Sequence, residues 1–184
     1  MGEFSWLKDM AEDANVRQEQ RREVDRKEKE NQKKIAYATG GFVDQLHQFF
    51  SGCAIEFNRH VKYESLKMRC SRVVKRTKGT ANPEIPDLSY PEESSSFTFS
   101  RRDWTFGIRG LTGLVEFLEM PTGDSSLSTN IDEVGMAPSR KLEGEYDEAS
   151  DKVVWTHNGT RVNKDQIVAL CREYLKEFIE RTNP

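Results

Sequence analysis

The sequence lacks the residues and motifs on which many metal and cofactor sites depend. Only three histidines and three cysteines occur in 184 residues, and none of them forms HxxxH, HExxH or CxxC. A glycine-rich phosphate loop and the GxSxG nucleophile motif are also missing. The sequence therefore predicts no metal centre, no cofactor and no enzyme activity.

The cysteines Cys53, Cys70 and Cys171 are odd in number and widely spaced, which excludes a simple disulfide framework. Each lies on a predicted apolar face, where a thiol acts as a small core residue. No apolar run reaches the roughly 18 residues of a membrane span, and the N-terminus has no apolar signal-peptide segment. We therefore expect a cytoplasmic protein without a membrane span.

Charge is unevenly distributed, although the net charge is only −3. Residues 59–78 contain eight Lys or Arg and one acidic residue, whereas residues 84–151 contain fifteen acidic and five basic residues. Opposite charges arranged in this way either pair within the fold or form separate binding faces.

Residues 1–34 are predicted to form a charged helical arm. Ser5 is a candidate N-cap, and no proline or glycine occurs from there to Lys34. Residues 16–34 contain only two apolar residues, so this part of the helix has no broad apolar face to bury. Because each favourable i,i+4 ion pair contributes about 0.2–0.5 kcal/mol, local interactions leave the helix marginally stable in water.

A heptad pattern, here called the seam, runs along the arm and beyond it. Its positions are Leu7, Met10, Ala14, Arg17, Arg21, Val24, Glu28, Asn31, Ile35, Ala38 and Phe42. The seam is apolar at both ends and polar in the middle, which favours a weak coiled coil or a solvent-exposed bridge between two packed ends.

Residues 35–184 are predicted to form one α+β domain. Apolar residues at helical spacing indicate a central amphipathic helix at about 35–61. Gly40 and Gly41 either kink this helix or separate it from the arm. A capping box beginning at Asn163 starts a C-terminal helix at about 163–181.

The chain between the two helices has the two-residue period of β-strands. The predicted strands cover about 64–76, Phe97 and Phe99, 104–108, 114–120, 142–146 and 152–156. The apolar parity changes between Phe99 and Trp104, which requires a bulge or tight turn at residues 101–103. Asn158-Gly159 indicates a second tight turn, and long loops are predicted at 77–95 and 121–139.

The strands cluster between the helices instead of alternating with them. This order predicts an antiparallel sheet of about five or six strands packed by both helices. The leading functional hypothesis is a non-enzymatic interaction or assembly protein that uses the arm to bind itself, as a homo-oligomer, or another protein. Its candidate partner-binding residues are Trp6, Leu7, Met10, Ala14 and Val24.

Two other hypotheses remain open. The first is nucleic-acid binding through a basic surface with aromatic neighbours Phe99 and Trp104 as stacking platforms. Its candidate residues are Lys67, Arg69, Arg72, Lys75, Arg76, Arg101 and Arg102. The second is binding of a small apolar ligand between the sheet and a helix, where many aromatic residues are expected.

Overall fold

The computed structural model describes residues 5–78, 92–121 and 138–183. The chain divides into two units, Met1–Lys34 and Ile35–Pro184. Most of the two predicted long loops, at 77–95 and 121–139, lies outside the described residues. None of the helices in the described ranges combines the length and apolar character that a membrane crossing requires.

The α+β class predicted from the sequence is confirmed, with two helices and an antiparallel sheet. The elements are α1 (Ser5–His60), a 3-10 turn (Glu64–Leu66), β1 (Arg69–Cys70), β2 (Val74–Lys78), β3 (Glu92–Arg101), β4 (Trp104–Leu111), β5 (Leu114–Pro121), β6 (Arg140–Asp147), β7 (Lys152–His157), β8 (Thr160–Val162) and α2 (Lys164–Arg181). The sheet follows the order β1-β3-β4-β5-β6-β7-β8, and β2 also pairs with β3. The described residues therefore contain eight strands, more than the predicted five or six.

The strand predicted at about 64–76 is divided into two short strands at the edge of the sheet. Cys70 pairs with Phe99 and Val74 pairs with Ser96, so four steps on the edge match three on β3. The extra residue forms a bulge. The sheet differs from the prediction in two further ways. It contains an additional strand, β8, and β3 is longer than predicted because it begins at Glu92, inside the predicted 77–95 loop.

Both predicted tight turns are present. Arg101 pairs with Trp104 across a two-residue turn, and Arg102 at its centre has a φ of 53°. Asn158 and Gly159 have φ values of 50° and 74°, as expected for an Asn-Gly hairpin turn. The first of these turns, between β3 and β4, explains how the apolar residues of the two strands face the same side of the sheet.

The main core lies where α1 and α2 both pack on one face of the sheet. Phe106 is fully buried at its centre, and its ring lies 5.2 Å from Phe50 of α1, 5.1 Å from Tyr174 and 5.0 Å from Phe178 of α2. Burial of each large apolar side chain contributes about 1.5–3 kcal/mol. This aromatic cluster holds α1 and α2 against the sheet within residues 35–184, which are here called the body.

The turns of α1 at the start of the body contact the β4–β5 hairpin. The Thr39 hydroxyl donates to Ile35 O at 2.8 Å and accepts a hydrogen bond from Gly113 N at 3.1 Å. A Cβ added at Gly110 would lie 2.5 Å from Val43 Cγ2, so helix and strand make close contact there. α1 continues through Gly40 and Gly41 without a break, because these contacts hold the helix on both sides of the pair.

The predicted C-terminal helix and its capping box are confirmed. The Asn163 side chain accepts a hydrogen bond from Gln166 N at 2.9 Å, and the Gln166 side chain accepts one from Asn163 N at 2.8 Å. Each bond satisfies a backbone N–H that the first turn of a helix cannot pair. The start of α2 at Lys164 is thus encoded locally.

Candidate functional site

The seam of the arm exposes large apolar side chains. Leu7 is 46% exposed, Met10 61% and Val24 62%, and Ala14 is also exposed. The side chain of Trp6, the remaining candidate partner-binding residue, lies outside the described residues. Val16 is 51% exposed and occupies heptad position c, outside the a and d positions of the seam, so it provides an internal comparison for Val24.

Ala14 forms the floor of a shallow groove on the arm. The groove has a volume of about 400 Å³ and is lined by Met10, Asp13, Ala14, Arg17, Gln18 and Arg21. Long side chains before and after a small one leave space into which a side chain of a facing helix can insert. The groove therefore has the form of a hole in knobs-into-holes packing.

Ion pairs stabilise the arm only weakly. Arg26 donates to both carboxylate oxygens of Glu23, at 2.8 and 3.1 Å, and Lys8 lies 3.6 Å from Glu12. The Arg26 hydrogen bonds lower the pKa of Glu23, but both side chains are exposed to water. Water screens exposed pairs of this kind, so the helix gains little stability from its own side chains.

The basic segment is partly neutralised by acidic residues of the same chain. Lys67 lies 2.6 Å from Glu64, and Lys75 lies 2.9 Å from Asp44 on α1. Arg76 also interacts within the chain, whereas Arg69 and Arg72 are exposed. Both acidic partners lie outside residues 84–151, so Lys67 and Lys75 are paired within the chain but not with the acidic segment.

Arg101 is a structural residue of the body, since its side chain is only 3% exposed. Its guanidinium donates to Leu66 O and Ile179 O at 3.0 Å, to Thr182 Oγ1 at 2.7 Å and to Asn183 Oδ1 at 3.0 Å. Burial lowers its pKa. A cation at the C-terminal end of α2 pairs with carbonyls that the helix leaves unsatisfied.

Arg102 is exposed, and its guanidinium donates weakly to Thr182 O at 3.4 Å. The candidate stacking platforms are also occupied: Phe99 is fully buried in the core, and Trp104 is half-buried with the Arg181 guanidinium 5.8 Å from its ring. The candidate nucleic-acid residues thus divide between exposed, internally paired and buried positions. Burial removes Arg101 and Phe99 from the candidate surface.

The aromatic residues between the sheet and the helices contact one another. Phe99 stacks on Phe106 with 4.9 Å between ring centres, and Phe117 meets Tyr174 edge to face at 5.3 Å. Phe42 of α1 stacks on Trp155 of β7 at 4.4 Å. The rings therefore pack against one another in the core. The hypothesis of an apolar ligand would instead require aromatic rings that line a cavity.

The cysteines lie in surroundings that oppose nucleophilic chemistry. Burial raises the pKa of Cys53, raises that of Cys70 to about 11 and raises that of Cys171 to about 12. Since the thiolate is the reactive form, these groups stay protonated at neutral pH. Among the residues that the structure describes, no group of three or more His, Cys, Asp or Glu is placed to hold a metal ion.

Sequence patterns did not identify the contacts made by Thr39, Gly110 and Arg101. Each contact joins residues far apart in the chain, and none has a local motif that signals it. The exposed apolar residues of the seam, in contrast, follow a pattern that the sequence itself contains. No protein-family model, no curated protein and no solved structure matches this chain.

Proposed function

We propose that this protein is a non-enzymatic assembly protein that associates with a second copy of itself through the seam of the arm. The observation that carries the proposal is the exposure of Leu7, Met10 and Val24 at seam positions of one helix. Apolar side chains repeated at heptad spacing are the determinant of coiled-coil association. In this proposal the arm provides the interface, and its association brings two bodies together.

The energetics of the arm support a requirement for a partner. Burial of a large apolar side chain contributes about 1.5–3 kcal/mol, whereas each exposed ion pair of the arm contributes less. The helix avoids the cost of nucleation because α1 continues into the body at Ile35, but its N-terminal turns would fray in isolation. Association through the seam offsets this tendency and keeps the arm helical.

A second copy is the occupant favoured by charge. Residues 1–34 contain nine basic and nine acidic residues, so two arms approach without net repulsion. The basic and acidic residues are interspersed along the helix, which allows a second arm to place opposite charges beside them. An arm that recognised a strongly acidic or strongly basic partner would instead carry a charge excess.

Sedimentation of two full-length variants tests this proposal. Val24→Lys places a charge in the seam, and Val16→Lys places the same charge on the same helix outside the a and d positions of the seam. We expect the wild-type chain and Val16→Lys to form dimers at micromolar concentration, with Val24→Lys weakened about tenfold or more. Equal behaviour of the two variants, or a wild-type chain that is monomeric throughout, would contradict the proposal.

A further inference from the structure

We infer that the two arms pair in antiparallel orientation, with Arg17 of one copy opposite Glu28 of the other. This inference rests on the proposed self-association and adds the direction and register of the pairing. Within the described residues, no salt bridge joins Arg17 or Glu28 to another side chain of the chain. Both occupy the polar middle of the seam, where the choice of register matters most.

A parallel pair would place like charges together. In a parallel coiled coil each seam position faces the same position of the partner. Arg17 would then face Arg17, Arg21 would face Arg21, and Glu28 would face Glu28, which gives three repulsive layers, with the apolar Val24 layer between the second and the third. Like charges in such direct opposition weaken association and select against that arrangement.

An antiparallel pair removes this repulsion in one register. When the two-fold axis lies between residues 22 and 23, Arg17 faces Glu28 of the second copy twice by symmetry. In the same register Ala14 faces Asn31, so the groove above Ala14 receives a side chain from the opposing helix. Arg21 faces Val24, which packs against the aliphatic part of the arginine side chain. Every layer then joins an a position to a d position, as antiparallel packing requires.

The neighbouring antiparallel registers are less favourable. A shift of one heptad in one direction places Arg17 opposite Arg21. The opposite shift places Arg17 opposite Ile35, Arg21 opposite Asn31 and Val24 opposite Glu28, so it has no layer in which opposite charges meet. The preferred register also brings Asp13 near Lys34 at the edge of the seam, where opposite charges favour the pair.

The register has a measurable geometric consequence. Residue 34 of one arm lies beside residue 11 of the other, a difference of 23 positions along the helix. At about 1.5 Å per residue, the two copies of residue 34 are separated by roughly 35 Å along the axis. In a parallel pair the same two residues would lie side by side.

Cysteine cross-linking of the full-length chain distinguishes these arrangements. The test variant carries Ala14→Cys and Asn31→Cys together, and the single variants are examined beside it under mild oxidation. A matched control combines Val16→Cys with Asn31→Cys, which moves one thiol off the seam. The parent chain, with its native cysteines, measures background cross-linking.

The antiparallel register predicts a covalent dimer for Ala14→Cys with Asn31→Cys, and only background for the control and for each single variant. A dimer formed by Ala14→Cys alone would show a parallel pair, which overturns the register and leaves self-association standing. Background cross-linking in every variant, together with a monomeric wild-type chain in sedimentation, would overturn both proposals.

Discussion

Gly110→Ala tests the contact that holds the first body turns of α1 against the sheet. The added Cβ would lie 2.5 Å from Val43 Cγ2 and 3.2 Å from Thr39 Cγ2. Favourable carbon–carbon contacts lie at about 3.5–4.0 Å, so the first distance is about 1 Å too short. Both neighbours are buried and β-branched, which restricts rotation of their side chains away from the new atom.

The expected cost follows from this geometry. Thr39 is further restrained by its two hydrogen bonds, to Ile35 O and from Gly113 N, so α1 must move away from β4. Overpacking of this kind lowers the free energy of unfolding by about 1–3 kcal/mol. Replacement of a glycine within a strand raises it by about 0.5–1 kcal/mol. We therefore expect a net loss of roughly 1–2 kcal/mol in the free energy of unfolding, measured by urea titration with circular dichroism.

Two further variants control this experiment. A Cβ at Gly52 of α1 meets nothing within 4 Å, so Gly52→Ala should stabilise the helix by about 0.5–1 kcal/mol. Combining Gly110→Ala with Val43→Ala removes the clash, so the double variant should lose less stability than the sum of the single variants. If Gly110→Ala stabilised the protein as Gly52→Ala does, the close contact between α1 and β4 would be refuted.

Three further predictions concern the body. Burial raises the pKa of Cys171 from 9.0 to about 12, so unfolded chains lose this proton at lower pH than folded chains do. The free energy of unfolding should therefore fall as pH rises above about 9, by at most about 1.4 kcal/mol per pH unit for this group. In urea titrations at pH 8 to 10, Cys171→Ala should show a smaller fall than the wild-type chain. Asn163→Ala should destabilise by about 1 kcal/mol in the same assay, through loss of the capping box, and an unchanged urea midpoint would show that the cap is dispensable. In filter binding at low salt, Arg69→Glu with Arg72→Glu should behave as the wild type does, since we expect no nucleic-acid function; binding by the wild-type chain that falls steeply with salt and is lost in this variant would support the alternative hypothesis.

Local chemistry made much of the fold predictable. The capping box at Asn163 locates the start of α2 because its hydrogen bonds involve residues three positions apart. The Asn158-Gly159 turn is specified by two residues that tolerate positive φ. The change of apolar parity before Trp104 requires either a bulge or a tight turn, and the structure has the turn.

Features that depend on distant partners were not predictable in the same way. The edge strand is divided because Ser71 takes part in pairing with Thr98 on β3, with its N–H donating to Thr98 O and its hydroxyl accepting from Thr98 N, both at 2.8 Å. Arg101 was grouped with the exposed basic residues by sequence position, but its acceptors include residues about 80 positions later in the chain. The alternating pattern of a strand gives the side on which a residue lies, not the element that covers it.

Hydrogen exchange of the arm at two protein concentrations tests the central proposal most directly. The amides of residues 16–34 report on helix stability in the segment with the fewest apolar side chains. If association through the seam stabilises this segment, exchange should slow markedly as the concentration rises through the dimerisation range, while the amides of α2 stay constant. Exchange of residues 16–34 that is independent of concentration, and as fast as in a free peptide of the same sequence, would contradict the account.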